Sequence, residues 1–157
     1  MNTNDKNSSA LHLLHRAGQI ADELFTLHIG ASDLTPRQYE VLRAISLSNE
    51  PSQTLLVDLT GIDRSTLADI VRRLVDRGLV MRKRTRHDAR MYALKLSDKG
   101  IMTMQEAAPA VNQTDERLLS ALPLPDREGF IKGLEKMVEE LSRANEQQPK
   151  EQQPKAE

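Results

Sequence analysis

Residues 59–97 read LTGIDRSTLADIVRRLVDRGLVMRKRTRHDARMYALKLS, and the order of breakers and apolar positions in this stretch decides the fold. A tight glycine turn spans Thr60 to Asp63. Asp63 can accept hydrogen bonds from the free amides of a helix running from Arg64 to Arg77, and Gly78 stands where a left-handed stop is expected. Leu67, Ile70, Val71 and Leu74 share one side of that helix. Ser65, Ala68, Asp69 and Arg72 share the other, with Thr66 and Arg73 at its margin. Two strand-compatible runs follow, Leu79 to Arg84 and Met91 to Leu96, joined by the polar connection Thr85 to Arg90. Tyr92, Leu94 and Leu96 alternate with Ala93 and Lys95, so a hairpin with one buried face is expected.

Upstream, Ser52 can cap a short helix holding Leu55, Leu56 and Leu59, which Gly61 ends. A short helix, a glycine turn and a longer helix make a helix-turn-helix signature, and the hairpin after it makes a wing. Before that, Thr35-Pro36-Arg37-Gln38 reads as a capping box with proline at the first helical position, and this helix turns Tyr39, Leu42 and Ile45 inward. Leu11, Leu14, Ala17, Ala21, Leu24, Phe25 and His28 mark a first amphipathic helix from about Ser9 to Ile29. Downstream, Ser97 caps a long helix from Asp98 to about Ala121, with Ile101, Met104, Ala108, Val111, Leu118 and Leu122 on its apolar side and a kink expected at Pro109. Phe130, Leu134, Met137 and Leu141 predict a last helix. The twice-repeated EQQPK ending has too few apolar residues to build a core.

The expected class is mainly α with a small β wing: a winged helix-turn-helix over about 34–98, dimerisation helices over about 9–30 and 98–146, and disordered ends at 1–8 and 147–157. All of 9–146 is read as one domain. With 38% hydrophobic residues and no apolar run approaching a span of roughly 20 residues, neither a membrane segment nor a signal peptide is expected, which points to the cytoplasm. Cysteine is absent, which excludes disulfides, zinc ribbons, thiol nucleophiles and thiol redox sensing.

The net charge of −1 hides an asymmetry, because Arg64 to Lys95 holds ten basic residues against three acidic ones. Arg82, Lys83, Arg84, Arg86 and Arg90 crowd together, and their mutual repulsion calls for an anionic partner such as phosphate. A helix with short polar residues near its start and arginines further on can enter a major groove, where arginine pairs with guanine and Asp69 could accept from a cytosine amine. Arg90 suits the narrow minor groove of A·T-rich DNA, with Asp88 near enough to orient a wing arginine. Arginines consumed in internal ion pairs would count against this reading. No phosphate loop, nucleophile elbow or metalloprotease motif suggests an enzyme or a cofactor. His12 and His15 could share a metal only if a carboxylate such as Asp22 or Glu106 joined them, and no metal site is expected.

From about Leu34 to Gly100 the chain resembles the MarR family, most diagnostically in Asp88-Ala89-Arg90 followed by Leu94-Lys95-Leu96-Ser97-Asp98-Lys99-Gly100. The resemblance implies a dimer held by the first and last helices on a pseudo-palindromic duplex, with repression relieved by a small organic effector of anionic or aromatic character. It implies groove contacts from Ser65, Thr66, Asp69, Arg72 and Arg73 and a wing-tip Arg90 with Asp88 as its neighbour; Arg64, Arg84 and Arg86 join the expected DNA contacts by their charge. The effector pocket it implies lies where the first, second and fifth helices meet the winged lobe, with His15, Arg16, Gln19, Arg37, Tyr39 and Arg43 as contacts. The competing reading is a winged-helix protein-interaction module that never touches DNA.

Overall fold

The computed structural model describes residues 9–30, 32–84 and 92–146. They form α1 (Ala10–Ile29), α2 (Pro36–Leu47), α3 (Gln53–Thr60), α4 (Arg64–Asp76), β1 (Val80–Arg84), β2 (Tyr92–Leu96), α5 (Asp98–Leu119) and α6 (Leu124–Glu146). The ends expected to be disordered, and the hairpin connection carrying Arg86, Asp88 and Arg90, lie outside the described residues. By internal contacts the chain divides between Glu116 and Arg117 into two compact units.

Local chemistry sets the helix ends of the first unit. Gln38 N donates to Thr35 Oγ1 and Thr35 N to Gln38 Oε1, both at 3.2 Å, closing the expected capping box. Leu55 N donates to Ser52 Oγ at 3.1 Å at the start of α3, and Gly61 ends that helix at φ 67°. Gly78 adopts φ 72° after α4, while Leu79 N bonds Leu74 O and Gly78 N bonds Val75 O at 2.9 Å each, the paired C-terminal closure that a left-handed glycine permits.

Leu42, Leu56, Leu67, Leu74, Leu79 and Leu94 are all under 2% exposed, so α2, α3, α4 and the hairpin close one core. Each such leucine contributes about 1.5–3 kcal/mol. β1 and β2 pair antiparallel from Val80↔Leu96 to Arg84↔Tyr92, and Leu94 N adds a 2.9 Å bond to Pro51 O.

The expected alternation in β2 holds only in part. Leu94 and Leu96 are buried, but so is Ala93, whereas Tyr92 is 48% exposed. The physical reason is position: α2 packs against β2, and Tyr92 lies at its outer end beside Arg82 and Arg72.

The apolar side of α5 also differs from expectation. Gly100, Ala107, Ala110 and Thr114 are the buried residues, and Ile101 is exposed. Gly100 sets this rotation, because a Cβ there would lie 2.1 Å from Leu79 O. Backbones this close leave room only for small side chains. Ser97 fastens the same junction: its N donates to Leu79 O at 3.0 Å, its Oγ donates to Gly78 O at 2.6 Å and accepts from Gly100 N at 3.0 Å. Lys99 Nζ donates to Arg77 O at 2.8 Å, so the Ser97-to-Gly100 segment satisfies carbonyls left open where α4 ends. α5 runs on through Pro109 and stops at Leu119.

Only the C-terminal half of α1 is held by the first unit. Phe25 is buried with its ring centroid 5.9 Å from that of Tyr39, and His28 Nδ1 lies 2.9 Å from Thr114 Oγ1. Thr114 Oγ1 donates to Ala110 O, so His28 Nδ1–H is the donor of that pair. Residues 10–20 of α1 are exposed throughout. In α6, Phe130, Ile131, Met137, Val138 and Leu141 are exposed, and no residue from Leu124 to Arg143 is buried.

Candidate nucleic-acid interface

The geometry starts at the turn before α4. Asp63 Oδ1 accepts from Ser65 N at 3.1 Å, Thr66 N at 3.0 Å and Ser65 Oγ at 2.6 Å. These bonds, led by that from the Ser65 side chain, hold the Asp63 carboxyl well below the usual carboxylate range. Because Leu67, Ile70, Val71 and Leu74 face the core, the opposite face of α4 is turned outward. Ser65, Arg72 and Arg73 are exposed there, and Thr66, Ala68 and Asp69 are partly exposed.

One expectation is corrected at this face. Arg72 Nη2 donates to Asp69 Oδ1 at 2.5 Å and Arg73 Nε to Asp69 Oδ2 at 2.7 Å, so both arginines are ion-paired rather than free. Arg72 Nη1 lies 3.5 Å from Asp76 Oδ2 as well. The cause is spacing, since Asp69 stands three and four residues before the arginines on one helix. The arginine side chains are nevertheless 59% and 61% exposed, and ion pairs this open are weak enough for a phosphate or a base edge to displace. The bond from Arg72 is the largest influence lowering the Asp69 pKa, and its counterpart raises that of Arg72.

The positive field therefore belongs mostly to the hairpin. Between Arg64 and Asp76 stand three basic and two acidic residues, against seven and one between Arg77 and Lys95. Arg82, Lys83 and Arg84 are exposed on β1; Lys83 Nζ reaches Glu50 Oε1 at 2.7 Å. Arg64, Arg82 and Arg84 make no ion pair among the described residues. Arg77 belongs to the scaffold, donating through Nη1 to Asp33 O at 3.3 Å and Gln38 Oε1 at 3.2 Å.

A cleft of about 620 Å³ joins α4 to the hairpin and takes in Gln53, Asp69, Arg72, Arg82 and Tyr92. Gln53 and Tyr92 are not marked as contacts by the sequence, and Arg82 is marked only as one of the crowded cations of the hairpin. The hairpin register sets Arg82 opposite Leu94, which lines the same cleft as Arg72.

The six effector candidates fall in three places. Arg37 and Arg43 line a cleft of about 740 Å³ between α2 and the α3–α4 turn, where Glu40 and Asp63 offset their charge. Tyr39 packs on Phe25, and burial, followed by the Glu40 charge, raises its pKa. His15, Arg16 and Gln19 sit on the exposed half of α1, with Arg16 Nη1 3.3 Å from Gln19 Oε1. Among the described residues no three of His, Asp or Glu come together as a metal-ligand set.

The MarR family profile matches residues 32–91. The transcriptional regulator HosA of Escherichia coli O157:H7 is 32% identical over 106 residues, covering 68% of this chain and 78% of that protein. The solved structure of the transcriptional repressor CouR bound to a 23-mer DNA duplex is similar with a TM-score of 0.79 and 27% identity, over 88% of this chain and 98% of that one. The Bordetella bronchiseptica regulator BpsR, whose DNA binding is regulated by 6-hydroxynicotinic acid, is similar with a TM-score of 0.74 and 29% identity, over 80% of this chain and 96% of that one. HosA and its relatives are regulators rather than enzymes, and this chain belongs to the MarR family of winged helix-turn-helix transcriptional regulators.

Proposed function

We propose that this chain is a homodimeric repressor in the cytoplasm that binds a pseudo-palindromic DNA duplex and leaves it when a small organic anion binds. The observation that carries the reading is the outward face of α4, fixed by the Asp63 cap and sharing a cleft with Arg82 of β1, which like Arg84 makes no ion pair among the described residues. In this reading α4 enters the major groove with Ser65, Thr66, Arg72 and Arg73, and the hairpin, with Arg84, Arg86 and Arg90, follows the backbone into the adjacent minor groove. Arg64 lies at the helix start, where a phosphate can also meet the amide ends.

Dimerisation rests on the open apolar faces of α1 and α6, which a second copy would cover while spacing two winged lobes for successive half-sites. The effector class rests on Arg16, Arg37 and Arg43, each suited to a carboxylate, and on the aromatic acid that regulates BpsR. The candidates lie apart within one chain, so the pocket would need a partner subunit to complete it. No helix among the described residues is long and apolar enough to cross a membrane.

The test is a titration of the purified protein against short palindromic duplexes across a salt series. Binding that weakens steeply with salt supports the reading. Absence of salt-sensitive binding to any duplex would return the chain to the protein-interaction class.

A further inference from the structure

We infer that Asp69 is a positioning residue for DNA recognition, clasping Arg72 and Arg73 so that the α4 face discriminates between bases at the expense of indiscriminate phosphate binding. This rests on the reading of α4 as the groove-entering helix. Two neighbouring arginines on a helix point about a quarter-turn apart and, left free, each samples many rotamers. Here one carboxylate draws both guanidinium groups to a common ridge, with Oδ1 taken by Arg72 and Oδ2 by Arg73.

The clasp is asymmetric. Arg73 is held through Nε, which leaves both of its Nη groups without a partner among the described residues. That is the edge that forms two parallel bonds to guanine O6 and N7. Arg72 is held through Nη2 by Asp69 and lies close to Asp76 through Nη1, so its terminal edge is occupied. Arg73 is therefore assigned the guanine contact and Arg72 the brace.

The carboxylate also acts against the wrong ligand. A negative charge on the groove-facing side repels phosphate at every register, and this cost is offset only where Arg73 meets a correctly placed guanine. Asp69 cannot then serve as a free acceptor for cytosine without releasing an arginine.

The experiment compares wild type, Asp69→Asn, Asp76→Asn and Arg73→Lys by selection from a randomised duplex pool. Each is also titrated with a scrambled 30-base-pair duplex over a salt series. Asp69→Asn should bind the scrambled duplex roughly three- to tenfold more tightly, with a salt slope steeper by about one per protomer, while its selected motif loses a G·C position. Arg73→Lys keeps the charge but lacks the fork, and should lose the same position. Asp76→Asn removes an equal charge about two turns further along α4 and should keep the motif. An unchanged motif in Asp69→Asn, or equal loss in Asp76→Asn, overturns the inference while leaving the repressor reading intact. Failure of the wild type to select any motif would defeat both.

Discussion

Two parts of this molecule carry the same kind of sequence pattern and treat it in opposite ways. In the winged lobe, apolar residues at helical spacing on α2, α3 and α4 end in a closed core where Val41, Leu42, Val71 and Leu74 have no accessible surface. On α6 an equally regular stripe of Phe130, Ile131, Met137, Val138 and Leu141 stays open, as do Leu11, Leu13 and Leu14 on α1. Amphipathic periodicity says that a face must be covered and not by what. The lobe closes its core within the chain, whereas α1 and α6 leave apolar surface open that the proposed dimer would bury.

The difference breaks most severely at the α4–α5 junction. Gly100→Val places side-chain carbon against Leu79 O, and the backbone, already bonded to Ser97, has little freedom to retreat. A loss of about 3 kcal/mol, read as a drop in the urea midpoint, is expected. A variant as stable as wild type would mean that the junction yields.

A matched pair of truncations is comparable in size. Leu42→Ala should cost about 2–5 kcal/mol of lobe stability, since it empties a fully enclosed site. Val138→Ala with Leu141→Ala should leave the lobe melting unchanged and instead weaken association, seen by sedimentation at micromolar concentration. If the α6 pair instead destabilises the lobe itself, the two regions are not independent.

That comparison also separates what the sequence could tell from what it could not. Caps at Thr35, Ser52 and Asp63 and stops at Gly61 and Gly78 are local chemistry, and local chemistry reads directly from neighbours in the chain. The rotation of α5 was misread because its cause, Leu79 O against Gly100, lies about twenty residues away in the chain. Tyr92 departs from the pattern likewise, since alternation along a strand does not say that α2 packs against β2 or that Ala93 is buried as well as Leu94 and Leu96. The Asp69 pairs are legible from their three- and four-residue spacing on α4, although spacing alone does not say whether the arginines turn to Asp69 or to a ligand. The effector candidates do not share one cleft: Arg37 and Arg43 line the cleft beside α2, Tyr39 packs on Phe25, and His15, Arg16 and Gln19 stay on the exposed half of α1.

Smaller effects probe the charge division between α4 and the hairpin. Arg84→Ala and Arg90→Ala should each weaken duplex binding by roughly tenfold and reduce the salt slope by about one per protomer, with folding unaffected. Equal affinities with and without either arginine would remove the hairpin from the interface and leave α4, whose own charges nearly balance, as the sole contact.

The smallest effect distinguishes the cap of α4 from the rest of the lobe through pH. Asp63 and Asp69 both have folded-state pKa values below their unfolded ones, chiefly through bonds from Ser65 and Arg72 respectively. Each therefore adds stability that is complete above the ordinary carboxylate pKa of about 4 and is lost as pH falls below it toward the lower folded value. Asp63→Asn keeps a capping oxygen but cannot titrate, so it should lie slightly below wild type at pH 6, with the gap narrowing as pH falls from about 4 toward 2. Urea midpoints across that range measure the convergence. A constant gap would show that the Asp63 charge is not what secures the helix start, and the outward face of α4 would then depend on its buried leucines alone.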